Sequence, residues 1–89
     1  MNSFLLKISS PEGDLFCEEA LALSVRGTEG ELAVMAGHVP FVSYVKPCLC
    51  RIDLPDGSRK EAQTSGGILT VSKERVIFLS GTFSWSPAT

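Results

Sequence analysis

Glycine and proline punctuate this chain every few residues: Pro11 and Gly13, Gly27 and Gly30, Gly37 and Pro40, Pro47, Pro55 and Gly57, Gly66 and Gly67. Intervals of that size suit strands better than helices, because both residues interrupt a helix interior while both are at home in turns. Between the breaks the hydrophobic pattern is that of strands. Phe4-Leu5-Leu6-Lys7-Ile8 reads as a first strand, stopped at Ser9-Ser10-Pro11-Glu12-Gly13. Leu32 to Met35 and Phe41 to Lys46 read as two more. Cys48, Cys50, Ile52 and Leu54 alternate with Leu49, Arg51 and Asp53, the period of two that marks a half-buried strand. Pro55-Asp56-Gly57-Ser58 predicts a tight hairpin turn, since Gly57 accepts positive φ without a Cβ clash. The return strand, Arg59 to Thr64, is polar and reads as an exposed or edge strand. Ile68 to Val71 and Arg75 to Leu79 form a second hairpin around Ser72-Lys73-Glu74. Val76-Ile77-Phe78-Leu79 is apolar at every position, which predicts burial on both faces. Between Asp14 and Arg26, Glu18-Glu19-Ala20-Leu21 favours helix on propensity. Leu21, Leu23 and Val25 nevertheless alternate with Ala20, Ala22 and Ser24, so the segment is read as strand. The expected fold is all-β: a flattened β-sandwich or barrel of about eight to ten short, mostly antiparallel strands.

The bulk properties narrow the functions. A chain of 89 residues makes one domain, and a domain of that size buries only roughly 60–65% of its unfolded surface, so partner contacts add usefully to its stability. With 44% hydrophobic and 20% charged residues it is neither disordered nor strongly charged. The formal charge of −2 comes with no basic stripe, which argues against nucleic acid as a partner. No apolar run approaches the ~20 residues of a membrane-spanning helix. Met1-Asn2-Ser3 has neither the basic-then-apolar layout of a signal peptide nor the character of a transit peptide, so a bacterial cytoplasm is the expected compartment. The odd number of cysteines (Cys17, Cys48 and Cys50) reads as small buried residues in a reducing compartment rather than a disulfide framework.

Catalytic constellations are scarce. His38 is the one histidine, and a site built from Cys48, Cys50 and His38 lacks the two-residue gap of zinc knuckles. No nucleophile motif accompanies His38 as a base. Ser65-Gly66-Gly67 is followed by strand residues rather than the Lys-Ser/Thr and helix of a phosphate loop. It reads instead as a corner where only glycine lets two backbones approach. Glu29 and Glu31 flank Gly30 in a turn, either as a solvated acidic loop or as an acidic docking tip for a basic partner. The expectation is therefore no catalysis, no metal and no cofactor.

Three blocks carry a family resemblance. Gly27-Thr28-Glu29-Gly30-Glu31-Leu32-Ala33-Val34-Met35-Ala36-Gly37-His38-Val39-Pro40-Phe41 resembles the long signature of F-type ATP synthase ε subunits, with Lys46-Pro47 following at the family's distance. Ser65-Gly66-Gly67-Ile68-Leu69-Thr70-Val71 is similar to the second signature, and Pro11-Glu12-Gly13 sits where the family has such a turn. Ala36 stands where proline is usual, and Cys48 where glycine is usual; both bear on local turn geometry.

The resemblance implies a non-catalytic central-stalk domain over residues 1–86 and a short tail over 87–89. The two-helix C-terminal domain usual in the family is expected to be absent, the chain reading either as a naturally short form or as a truncated one. The domain would bind the γ subunit and the c-ring of a proton- or sodium-translocating enzyme, peripherally at the cytoplasmic face of a bacterial membrane. By position, Ser10, His38 and Ser43 would lie on or near the γ-facing surface, and Thr28, Glu29, Gly30 and Glu31 would touch the c-ring loops. For His38 a purely structural turn role is the other reading. The competing functions are a small β-barrel carrier or ligand-binding module, with Lys73 in a hairpin turn, and a small hydrolase using Cys17 or Cys50 with His38.

Overall fold

A computed structural model describes residues 3–37 and 39–86. Its described residues form ten strands and no helix: β1 (Phe4–Ser10), β2 (Gly13–Ala20), β3 (Ala22–Gly27), β4 (Gly30–Met35), β5 (Phe41–Val45), β6 (Cys48–Asp53), β7 (Arg59–Thr64), β8 (Gly67–Val71), β9 (Arg75–Ser80) and β10 (Phe83–Trp85). Hydrogen bonding follows the order β10-β7-β6-β3-β5-β8-β9-β1-β2, with β4 on the side of β3. All pairings are antiparallel except β1 with β9.

One link in that order is thin. β3 and β5 share a single register pair, Gly27 with Val45, extended by the Lys46 N–H donating to the Arg26 carbonyl at 2.8 Å. The sheet folds over there. One layer is β10-β7-β6-β3-β4 and the other β5-β8-β9-β1-β2. The alternate residues of each layer meet in one core: Leu23, Val25, Val34, Cys50 and Ile52 from the first, Phe4, Leu6, Ile8, Phe16, Leu69, Val71, Val76 and Phe78 from the second. Period-two sequence thus becomes a two-sided slab with an apolar filling. The all-β sandwich expected from the sequence is the fold observed.

The far edges of the layers close through aromatic rings. Phe16 of β2 and Trp85 of β10 lie with centroids 6.0 Å apart, and the Lys60 ammonium sits 5.2 Å from the Trp85 centroid and 5.9 Å from that of Phe16. A cation over two rings at an exposed edge contributes about 0.5–1 kcal/mol. Lys60→Ala is therefore expected to lower the melting temperature by a few degrees, and Lys60→Arg to restore most of it; differential scanning calorimetry reads both.

The turns behave as their residues dictate. At the β6–β7 hairpin Gly57 takes φ 91°, Gly57 N–H donates to the Leu54 carbonyl at 3.0 Å, and Leu54 N–H donates to that of Ser58 at 2.9 Å. Hydrogen bonds from Ser58 hold the Asp56 carboxyl below its ordinary range.

Three expectations need correction. β7 is not an edge: it lies between β6 and β10. Its polar look comes from one solvent-facing side, Arg59 and Gln63 with half-buried Glu61, while Ala62 and Thr64 are buried. β9 is not buried on both faces: Val76 and Phe78 are in the core, but Leu79 is 51% exposed. Cys17 is exposed on β2 and Cys48 half-buried; only Cys50 is a core residue.

Burial, with the neighbouring Cys48 as the lesser cause, pushes the Cys50 thiol up from 9.0 to about 12. Above pH 9 the unfolded chain therefore loses this proton while the folded chain keeps it, so stability falls as pH rises from about 9 to 12 and is unaffected below. Chemical denaturation should show that alkaline slope in the wild type and its loss in Cys50→Val. In native protein, thiol titration should find Cys17 fast and Cys50 silent until unfolding.

Candidate functional site

The two outer faces of the slab differ sharply. On the layer containing β6 and β7 the solvent side carries alternating charges paired across strands: Arg59 Nε to Asp53 Oδ1 at 2.7 Å, and Arg51 Nε to Glu61 Oε2 at 4.0 Å. Arg26 and Glu31 are register partners on the same layer. Such a face is comfortable in water.

On the opposite layer the outward residues of β5, β8 and β9 are mostly apolar, while β1 beside them carries Lys7, paired with Asp14 of β2 at 3.7 Å. Tyr44 of β5 pairs in register with Ile68 of β8, and Ile68 with Leu79 of β9, so three apolar side chains form a row across three strands. Val42 continues the patch along β5, beside a second row of Thr70 and half-buried Ile77. Exposure is 68% for Val42, 70% for Tyr44, 39% for Ile68 and 51% for Leu79. A cluster of this kind in a small domain is uncommon unless something covers it. The first layer offers Leu49 on its outer face, at 37% exposure, with Gln63 as its register partner, and Met35 of β4, at 57%, with Ala22 as its register partner.

The residues singled out from the sequence fall in different places. Ser10 ends β1 at the margin of the apolar face; its Oγ accepts from the Glu12 N–H at 3.2 Å. Ser43 pairs in register with fully buried Leu69, which puts it on the inner side of β5, and its hydroxyl donates to the Tyr44 carbonyl at 3.1 Å. Its neighbours Val42 and Tyr44 are the outward ones. His38 lies outside the described residues, and the Cys48–Cys50–His38 arrangement with it.

Thr28, Glu29, Gly30 and Glu31 are all exposed at the β3–β4 tip, where Gly27 and Gly30 pair around a two-residue turn. Nothing encloses the two carboxylates, so they are suited to contact rather than proton transfer. Among the described residues no three His, Cys, Asp or Glu side chains converge on a metal-sized site.

The two motif blocks meet in space. Gly66 packs against the β5–β6 bend so closely that a Cβ there would fall on the Val45 carbonyl oxygen, 3.2 Å from the Lys46 carbonyl carbon and 3.3 Å from the Pro47 nitrogen. A Cβ at Gly67 would fall on the Leu79 carbonyl oxygen. The Gly-Gly pair and Lys-Pro thus form one corner, which holds β5 and β8 together and fixes the row Tyr44–Ile68–Leu79.

A family model for the ATP synthase delta/epsilon chain β-sandwich domain matches residues 3–86. The chain belongs to this family. It is 34% identical over 82 residues to the ATP synthase epsilon chain of Psychrobacter cryohalolentis, an alignment covering 92% of this chain and 59% of that protein. The epsilon chain of a second Psychrobacter strain is 33% identical with the same coverage, 92% and 59%. The chain therefore spans about three-fifths of these relatives.

Solved structures share the fold. A chain of the Euglena gracilis mitochondrial ATP synthase, in a structure of its OSCP, F1 and c-ring, superposes with a TM-score of 0.87 at 24% identity, covering 93% of this chain and 53% of that one. A chain from the central stalk and c-ring of the Tetrahymena thermophila mitochondrial enzyme gives 0.78 at 9% identity, covering 92% and 66%. Sequence reasoning had reached the family but missed the apolar outer face. Its signal was present as apolar residues of both parities in Phe41-Val42 with Tyr44-Val45, Ile68-Leu69 and Val76–Leu79.

Proposed function

We propose that this domain is a non-catalytic clamp on the central stalk of an F-type ATP synthase. It binds the γ subunit through the Val42–Tyr44–Ile68–Leu79 face and rests the β3–β4 tip on the c-ring, peripheral to the membrane and without inserting into it. The carrying observation is local: β6 and β7 are charge-paired on their outer side, while β5, β8 and β9 present an exposed apolar row. The family match supports looking for the partner of that face within an ATP synthase. A slab with a close-packed core suits the task, because it transmits torque without deforming continuously. The tip supplies two carboxylates for basic loops, a contact that acts on docking register and association rate. On this reading Ser10 contacts γ from the margin of the face, Ser43 supports the face from behind by bonding to the Tyr44 backbone, and His38 takes part in γ binding.

Co-expression with the γ subunit of the same organism tests the proposal. A stoichiometric complex surviving gel filtration at micromolar concentration is expected. Two separate peaks would contradict it. Glu29→Lys combined with Glu31→Lys should leave the γ complex intact and weaken retention on a γ–c-ring assembly by about tenfold, an effect that grows at low salt.

A further inference from the structure

Past β9 the chain crosses from one layer to the other. β9 belongs to the layer of β5 and β8, yet Gly81 and Thr82 lead to β10, which pairs with β7 of the opposite layer. At the base of this crossing the polar groups form a chain. Gly66 N–H donates to Thr64 Oγ1 at 3.0 Å, Thr64 Oγ1 lies 2.7 Å from Ser80 Oγ, and Ser80 Oγ donates to the Thr82 carbonyl at 2.8 Å. A hydroxyl has one proton, and a carbonyl can only accept. Ser80 therefore gives its proton to Thr82, and Thr64 is the donor in the bond between the two hydroxyls. Thr64 thus fixes the direction in which Ser80 points. Both residues are buried, although both are polar. Backbone groups reinforce the crossing: Ser65 N–H donates to the Thr82 carbonyl at 3.1 Å, Thr82 N–H to Ser65 Oγ at 2.8 Å, and Gly81 N–H to the Gly66 carbonyl at 3.0 Å.

Beyond this base the segment is lightly held. None of residues 81–86 is buried, and none belongs to the buried core. Among the described residues β10 has a strand on one side only. Its outer end is fastened by the Phe16 ring, by Lys60 and by Ser86 N–H donating to the Glu61 carbonyl at 2.8 Å. Such a segment can leave without dismantling the core, a local opening that lies below global unfolding. We infer that residues 81–86 form a strap that opens as a unit from an otherwise folded slab, with the buried Ser80 hydroxyl as its latch. Opening uncovers Phe16 and Phe78, the ring partners of Trp85 and Phe83, and leaves β7 with an unpaired edge able to accept another strand. A latch of this kind favours two states. Closed, every member of the chain is satisfied; half broken, a buried hydroxyl is left without its partner.

Amide hydrogen exchange of the whole chain, read by NMR, tests the strap and the latch separately. The N–H groups of Ser65, Thr82 and Ser86 report the strap, because their acceptors lie across the crossing. The β1–β9 and β8–β9 ladders report the slab. In the wild type the strap amides should exchange at least about tenfold faster than the slowest ladder amides. Low urea should speed the ladder and leave the strap nearly unchanged, since opening so short a segment exposes little surface. Val34→Ala should do the same: Val34 is fully buried in β4, away from β10, so its loss weakens the slab equally with the strap closed or open. Ser80→Ala removes the bond to Thr82 and should speed strap exchange about tenfold or more, and the ladder with it. Strap amides that follow the ladder in urea and in Val34→Ala would mean that the segment leaves only on global unfolding, and would overturn the strap. Strap amides with no protection in the wild type would overturn both strap and latch. A change of less than twofold in strap exchange on Ser80→Ala would overturn the latch.

Discussion

Leu79→Asp should abolish γ binding while leaving the fold intact. Leu79 is half exposed in the free domain, so a carboxylate there stays hydrated and the melting temperature should move by no more than a few degrees. In the complex the same carboxylate would be sealed between Ile68, Ser9 and the partner, with no cation among its register neighbours. Desolvating an unpaired charge costs several kcal/mol. At about 1.4 kcal/mol per tenfold, the dissociation constant should rise by at least about 100-fold. Leu49→Asp, on the charge-paired face, should bind normally. Equal losses from both variants would mean that the apolar row is not the interface.

Gly67→Ala should be strongly destabilising for so small a change. The added methyl would lie 2.9 Å from the Leu79 carbonyl carbon and 3.1 Å from the Ser80 Cα, besides striking the carbonyl oxygen. All three atoms belong to the backbone of β9, which is pinned to β8 and β1 on either side. Relief requires breaking part of the β8–β9 ladder, at a cost of about 3–4 kcal/mol. That corresponds to a fall in melting temperature of more than about 15 °C for a domain this small. Gly57→Ala is the natural comparison. Its φ of 91° is unfavourable for alanine, but open space surrounds the position, so the cost should be only about 1–2 kcal/mol. Equal melting temperatures for the two variants would show that the Gly67 corner is not tightly packed.

Much of this could be read from the sequence because short-range rules decide it. Alternation at Cys48–Leu54, the Pro55–Ser58 turn and the Gly66-Gly67 corner each reflect local geometry that tertiary structure did not override. Helix propensity at Glu18–Leu21 lost to the alternation that follows it, since Phe16, Ala20, Leu23 and Val25 had a core to enter only as strands.

The misreadings share one cause: apolar character does not say which side of a strand is covered. Val76–Leu79 looks doubly buried, yet one of its faces lies outside the domain core. Arg59–Thr64 looks like an edge because its solvent side is charged, but Phe83–Trp85 pairs against it. The same ambiguity concealed the apolar outer row, as an uncovered apolar row and a buried one have the same composition. Ser43 shows the limit of transfer by position: it lies on the inner side of β5, while Val42 and Tyr44 are that strand's outward residues.

The central claim is that γ covers the apolar face of the slab. Methyl NMR of the labelled domain, titrated with unlabelled γ, tests it most directly. Shifts and broadening should concentrate on Val42, Ile68 and Leu79, with Leu49 unmoved. Perturbation centred on Leu49, or no perturbation at micromolar γ, would contradict the account.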